Sequence, residues 1–279
     1  MRLALLSVAF CCLAGCEGGS TKPVEPPLSG VVSLDLCADQ MVLKLADKGQ
    51  VKAVSSEIAL DSEFGEPAAR GIPRIRPTVE EIVALRPATV VKSYGGGPML
   101  DGQLARFGIK VVPIDYTATL ADVPKSIRNA ARQLGDIANG EATIRSFERK
   151  LAQARDMDSI KGDNRPSLLY VTPGGVTTGS GSLIDEIMVA AGYRNYVQRP
   201  GWISLPLEEM AGRKPDAIFY AFFNSPQHNQ DAWSSARHEV AQRQMKGLPA
   251  ISVSGSKVSC GNWMLGDVIE ELSTMRQQI

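Results

Sequence analysis

Histidine is nearly absent: the 279 residues hold only two, His228 and His238. Capture of bare zinc or manganese asks for three or four His, Cys or carboxylate ligands. Both histidines fall in one polar stretch, residues 224–243, so a bare metal ion is not the expected ligand and no metal site is expected. Net charge is missing too. Lysines and arginines number 30 and the acids number 30. With no basic stripe, a nucleic-acid partner is not expected. No segment reaches the ~18 consecutive apolar residues that a membrane-spanning helix needs. There is no Gly-x-Ser-x-Gly elbow, and neither histidine has the strand-end context of a general base. No catalytic residue is assigned, and a secreted α/β hydrolase stands as the weaker alternative. Aromatics make up only 6 % of the chain, so any cluster of them carries information.

What is present begins at the N-terminus. Arg2 is the only charge before Glu17, and an apolar run fills residues 3–13. That is the length of a signal-peptide core and too short to span a bilayer. The run ends in Leu13-Ala14-Gly15-Cys16, which resembles a bacterial lipoprotein signal. Residues 1–15 are therefore expected to be removed as a signal peptide, with Cys16 carrying lipid. An ordinary cleaved signal with a chance cysteine is the alternative. Residues 16–29, containing Gly, Ser and Pro without apolar periodicity, read as the lipidated tether.

Processing would remove one base, Arg2, and no acid, taking the balance from 30 − 30 to 29 − 30. About 260 residues remain, enough for one large domain or two small ones. Of the five cysteines, Cys11 and Cys12 would leave with the signal and Cys16 would be lipidated. Only Cys37 and Cys260 are left. That is no disulfide framework, though it allows one bridge in an oxidising compartment.

Along the chain, residues 31–35 form a short apolar run with β-branched members, a strand. Residues 38–47 follow as a helix with Met41, Leu45 and Ala46 at helical spacing. Further strands are expected over residues 51–55, 89–92 and 110–114, with helices over 80–85 and 100–107. From residue 120 to 157 the strand signal disappears. Gly135 and Asn139-Gly140 are expected to split this stretch into two helices. The second, residues 141–158, sets Ile144, Phe147, Leu151 and Ala154 on one face. Strands then return at 167–171, 217–222 and 250–254, with helices at 183–191 and 265–275. Alternating strands and helices imply mostly parallel sheets covered on both faces. The fold class is α/β: an N-terminal lobe over residues 30–135, a linking long helix within 136–160, and a C-terminal lobe over 161–279.

An internal echo supports two lobes. Val79-Glu80-Glu81 leads through a helix to Arg86-Pro87 and a strand. Leu207-Glu208-Glu209 leads in the same way to Arg213-Lys214-Pro215 and a strand. With the opening Val32-Ser33-Leu34-Asp35-Leu36-Cys37-Ala38-Asp39-Gln40, and with Thr178-Gly179-Ser180-Gly181-Ser182 leading to Ala191-Gly192-Tyr193, these stretches resemble the helical-backbone class of ABC-importer substrate-binding proteins. Within that class the resemblance is to the vitamin B12- and iron-siderophore-binding family. It covers residues 30–272, and it is carried by the order and spacing of the motifs.

The resemblance implies a monomeric, extracytoplasmic, membrane-anchored lipoprotein that has no intrinsic cofactor and is not an enzyme. Its partners would be a permease and ATPase complex and a small metal chelate, with a corrinoid first and a ferric siderophore or haem next. It implies docking through one surface acid per lobe, by position Glu80 and Glu208. It also implies a ligand cleft walled by loops at strand C-terminal ends. The residues expected there are Asp35 and Cys37 after the opening strand, then Tyr94, Gly95 and Gly96. Thr172, Gly174 and Gly175 follow, with Trp202 and Trp263. Of the aromatics at strand ends, Tyr220 and Phe222 read as core. Gly179-Ser180-Gly181 reads as a turn into a helix capped by Ser182 with Asp185, and not as a phosphate cradle. Cys37 and Cys260 would face each other from opposite lobes as a bridge, as ligand contacts or as small buried residues. A binding-fold lipoprotein acting as a scaffold is a further alternative.

Overall fold

The computed structural model describes residues 27–157, 164–223 and 233–279. The expected signal peptide, Cys16, most of the tether and His228 lie outside the described residues. The first sheet contains β1 (Val31–Ser33), β2 (Val51–Ser55), β3 (Arg74–Ile75), β4 (Thr89–Lys92) and β5 (Lys110–Pro113). Its order is β3-β2-β1-β4-β5 and every pairing is parallel. All three residues of β1 are buried, as they must be in a strand covered on both faces. The connecting helices are α1 (Leu36–Leu45), α2 (Gly65–Ala68), α3 (Val79–Leu85) and α4 (Leu100–Ala105). The two-residue β3 was not expected, because two residues carry no readable period.

Two helices leave this lobe: α5 (Val123–Leu134) and α6 (Ile137–Asp156). The break at Gly135 is real, with φ at +87°, the left-handed region that glycine enters freely. The break expected at Asn139-Gly140 is not. Asp136 caps α6 by accepting from the Asn139 N–H at 3.0 Å, so the helix starts four residues earlier than the expected residue 141. Gly140 acts as a packing residue, since a Cβ there would strike Ala131 of α5. At 20 residues, α6 is about 30 Å long.

The second sheet contains β6 (Ser167–Val171), β8 (Arg194–Asn195), β10 (Ala217–Ala221) and β11 (Ala250–Val253) in the order β11-β10-β6-β8, again parallel. A small antiparallel ladder, β7 (Val176–Thr178) with β9 (Trp202–Ser204), stands beside it. The helices of this lobe are α7 (Leu183–Ala190), α8 (Leu207–Gly212), α9 (Glu239–Met245), α10 (Gly255–Ser259) and α11 (Met264–Arg276). The fold is thus two α/β lobes with mostly parallel sheets, joined by one long helix.

That helix is one of several joints. α6 packs on α5 from one side and on α11 from the other, and Lys150 pairs with Asp267 and Glu270 of α11. One apolar cluster runs from Val31 and Met41 through Phe147 to Leu265 and Met275, so the lobes share core. Cys37 and Cys260 form a disulfide across the junction, 223 residues apart in sequence and 5.1 Å apart at Cα. Beside it lies a buried polar knot. Gln40 Nε2 donates to Asp61 Oδ2 at 2.8 Å and to the Ser256 carbonyl at 3.2 Å. Asn262 Nδ2 donates to Gln40 Oε1 at 2.5 Å. Lys257 adds an ion pair to Glu63 of the first lobe at 2.8 Å.

Candidate functional site

The loops at the strand C-terminal ends face one another across a cavity of about 710 Å³. The first lobe supplies Cys37 of α1, Ser93 and Tyr94 after β4, and residues 114–118 after β5. The second supplies Tyr170 of β6, residues 181–184 at the start of α7, Trp202, Phe222 after β10, and residues 258–261 after α10. This is the crevice that open parallel sheets present to ligands.

Aromatic faces dominate the walls. Tyr94 is 59 % exposed, Trp202 60 % and Tyr116 90 %, so their rings are available. Tyr170 lies behind them, fully buried, with its ring edge-on to Trp202 at 6.1 Å and to Phe219 at 5.2 Å. Phe222 packs against the main apolar cluster, as expected, and also reaches the cavity wall. It takes φ +71°, an uncommon conformation for a bulky residue, and that turn ends β10 one residue early and brings the ring to the cleft. The ring rests where a Cβ on Gly255 would be. Tyr220 turns the other way, packing on Phe223 at 5.1 Å.

Of the residues expected to bind ligand, the structure brings Cys37, Tyr94 and Trp202 into the cleft. Cys37 arrives as half of the disulfide, which itself forms part of the wall. Asp35 does not face the cavity. Its buried carboxylate caps α1 through the Ala38 N–H at 3.0 Å and accepts from Ser93 N–H, Ser93 Oγ, Tyr94 N–H and Gly95 N–H at 2.6, 2.7, 3.1 and 2.9 Å. It shapes the Tyr94 loop from beneath. Gly95 and Gly96 sit behind that loop against Leu34 and Leu100. Thr172, Gly174 and Gly175 lie outside the cavity wall. Thr172 Oγ1 closes its turn onto Val176, and Ser235 Oγ donates to the Gly175 carbonyl at 2.8 Å. Trp263 packs edge-on to Phe64 at 5.4 Å and under Lys44, away from the cleft. The sequence reading missed Tyr116, although it lies three residues past the β5 end and the strand-end rule used elsewhere would have found it.

Two further carboxylates stand near the Tyr94 loop. Glu57 Oε2 accepts from the Tyr94 hydroxyl at 2.7 Å and from the Leu36 N–H at 3.2 Å. Burial, and then Glu57, push the Tyr94 phenol well above its ordinary range, so it stays protonated. Asp39, fully buried beneath β1, accepts from Ser33 Oγ, from Ser55 N–H at 2.8 Å and from Ser55 Oγ at 2.5 Å. Burial raises its pKa from 3.8 to about 6, with the hydrogen bonds acting against the shift.

Glu80 and Glu208 occupy matching places in the first turns of α3 and α8, and both are exposed. In each pair the second glutamate is used locally. Glu81 takes Arg76 N–H and Nε at 2.9 Å, and Glu209 takes Arg213. Thr78 Oγ1 accepts from the Glu81 N–H, but the Glu81 side chain turns to Arg76, so only half of a capping box forms. Among the described residues no three His, Cys, Asp or Glu side chains converge as metal ligands, and no helix is long and apolar enough to cross a membrane.

A family model described as periplasmic binding protein matches residues 31–231. Among solved structures, a periplasmic binding protein from Veillonella parvula is similar at TM-score 0.70 and 14 % identity, covering 92 % of this chain and 93 % of its own. A periplasmic heme-binding protein from Roseiflexus sp. RS-1 gives 0.68 and 18 %, covering 90 % and 98 %. The periplasmic vitamin B12 binding protein of Vibrio cholerae gives 0.61 and 18 %, also covering 90 % and 98 %. At such identities the likeness is one of fold. No curated protein matches the chain.

Proposed function

The chain belongs to the periplasmic binding protein family, and from that premise we propose that it is the extracytoplasmic substrate-binding component of an ABC importer. The observation that carries the reading is the cavity between the lobes, walled by Tyr94, Tyr116, Trp202 and Phe222. Broad aromatic faces suit a flat, bulky guest. The ligand we propose is a metal chelate, with a corrinoid first and a ferric siderophore or haem next. Proteins named for haem and for vitamin B12 share the fold. Capture proceeds with little lobe movement, because the disulfide, the Gln40 knot and α6 hold the junction at separate points.

Delivery follows through Glu80 and Glu208, the member of each glutamate pair that its own lobe leaves free, as docking acids for the permease. Residues 1–15 act as the signal peptide, Cys16 carries the lipid, and the tether holds the lobes near the membrane that contains the permease and ATPase complex.

The test is direct. The mass and visible spectrum of any compound retained on purification identify the cargo. Titration with a corrinoid, a ferric siderophore and haem should quench tryptophan fluorescence, and Trp202→Phe should remove most of that signal. Absence of binding to all three refutes the reading.

A further inference from the structure

We infer that the cleft selects its guest by charge, taking neutral or cationic chelates and turning away anionic ones, with Glu57 and Asp115 as the residues that set the sign. This rests on the cleft being the ligand site and narrows the class of ligand it takes. Three observations carry it. First, the described residues that wall the cavity include no Lys, Arg or His, and the one ionised side chain among them is Asp115. Its carboxylate accepts from the neutral Asn129 Nδ2 at 2.6 Å, and Arg132 sits on the far side of that amide, donating to Asn129 Oδ1 at 3.4 Å.

Second, the two helix N-termini that open on the cavity already spend part of their donor set on the protein's own side chains. Such ends ordinarily attract phosphate or carboxylate groups. At α1, Asp35 takes the Ala38 N–H and Glu57 takes the Leu36 N–H, which sets two carboxylates at that helix start. At α7, Asp185 takes the Gly181 N–H at 2.9 Å and Ser182 Oγ takes the Asp185 N–H at 3.1 Å. Third, Glu57 is held by neutral donors alone, the Tyr94 hydroxyl and a backbone N–H, so no base cancels its charge behind the Tyr94 wall. An anionic guest would meet one carboxylate in the wall, a second behind Tyr94, and no Lys, Arg or His among the described lining residues.

The clean probe is a pair that differs only in charge: cyanocobalamin, and the same corrinoid with one side-chain amide hydrolysed to a carboxylate. The added charge should weaken binding about tenfold, the factor that a like charge roughly 8 Å away produces at an effective dielectric of about 30. The gap should shrink in about 1 M salt. It should fall to within about threefold in the Glu57→Gln/Asp115→Asn variant, whose amides keep hydrogen-bonding groups in place. The salt series on the unaltered protein supplies the same answer should that variant fold poorly. Equal or tighter binding of the carboxylate form, or a gap indifferent to both salt and substitution, overturns the inference. If neither corrinoid binds, the choice of corrinoid fails, and a neutral ferric trihydroxamate set against an anionic ferric tricatecholate decides the matter. Preference for the hydroxamate upholds charge selection and preference for the catecholate overturns it. Silence from all four removes the ligand site itself and the inference with it.

Discussion

Replacing Cys37 and Cys260 together with alanine should lower the melting temperature by roughly 10 °C. The bridge closes a loop of 223 residues. For a loop of that length the chain-entropy model gives about 5 kcal/mol at 25 °C, an upper figure, since native bridges return about 2–4 kcal/mol. A protein of this size loses about 2–4 °C per kcal/mol, so about 3 kcal/mol becomes the stated shift. The two alanines still pack beside the Gln40–Asp61–Asn262 knot, so the lobes should remain assembled. Calorimetry of the double variant beside the oxidised parent reads the shift. Small-angle scattering of both reads whether the lobes separate, and chelate titration reads the effect on the cleft, where preorganisation is reduced. A melting temperature within about 2 °C of the parent would refute the claim that this bridge restrains the chain.

Gln40→Leu strips Asp61 and Asn262 of a partner inside the junction. It should cost about 2–4 kcal/mol in urea unfolding, because buried polar groups are left unmade; a change under about 1 kcal/mol would show the knot to be dispensable. Asp39 has a folded pKa of about 6 against an ordinary 3.8. The raised value means its proton stabilises the fold fully below pH ~4, and that stabilisation is lost as pH rises through about 6. The stability difference between the parent and Asp39→Asn should therefore shift by about 2 kcal/mol against the parent between pH 4 and pH 7, and a flat difference would place the titration elsewhere. Trp202→Ala removes a 60 % exposed aromatic face from the wall and should weaken chelate binding at least about tenfold in calorimetric titration. Glu80→Ala and Glu208→Ala, both on exposed first turns, should abolish import in cells while leaving chelate affinity unchanged; unimpaired import would favour a scaffold role over transport.

Much of the architecture was legible residue by residue. The strands at 51–55, 89–92, 167–171 and 217–221 and the helices around Leu45 and Leu104 carry local signals: apolar alternation or runs, helical spacing and glycine stops. The paired Glu-Glu turns of α3 and α8 were visible because each is a contiguous stretch. Where local signals misled, a distant contact was the cause. Asn139-Gly140 has the composition of a break, yet Ala131 of the preceding helix makes Gly140 a packing position and the helix runs through it. Phe222 looks like the last residue of a buried strand and does pack on the core, but its positive φ ends the strand and the space left by Gly255 seats the ring where it also walls the cavity.

The candidate site was less legible, for the same reason. Tyr94, Trp202 and Cys37 carried strand-end context of their own. Asp35, Gly175 and Trp263 carried the same context, and only their neighbours show that they are engaged elsewhere: Asp35 with the Ser93–Gly95 amides, Gly175 beneath Ser235, and Trp263 against Phe64. Glu57 gave no sign at all, since its meaning depends on Tyr94, 37 positions away. Periodicity and capping are short-range properties that the chain spells out along its own length, so they specified two α/β lobes and a long helix. Which side chains share the cavity, which cysteines join, and what charge the walls present depend on residues brought together across as many as 223 positions. Only packing of the two sheets about α6 decides those, because burial and hydrogen-bond partners exist only once distant surfaces meet.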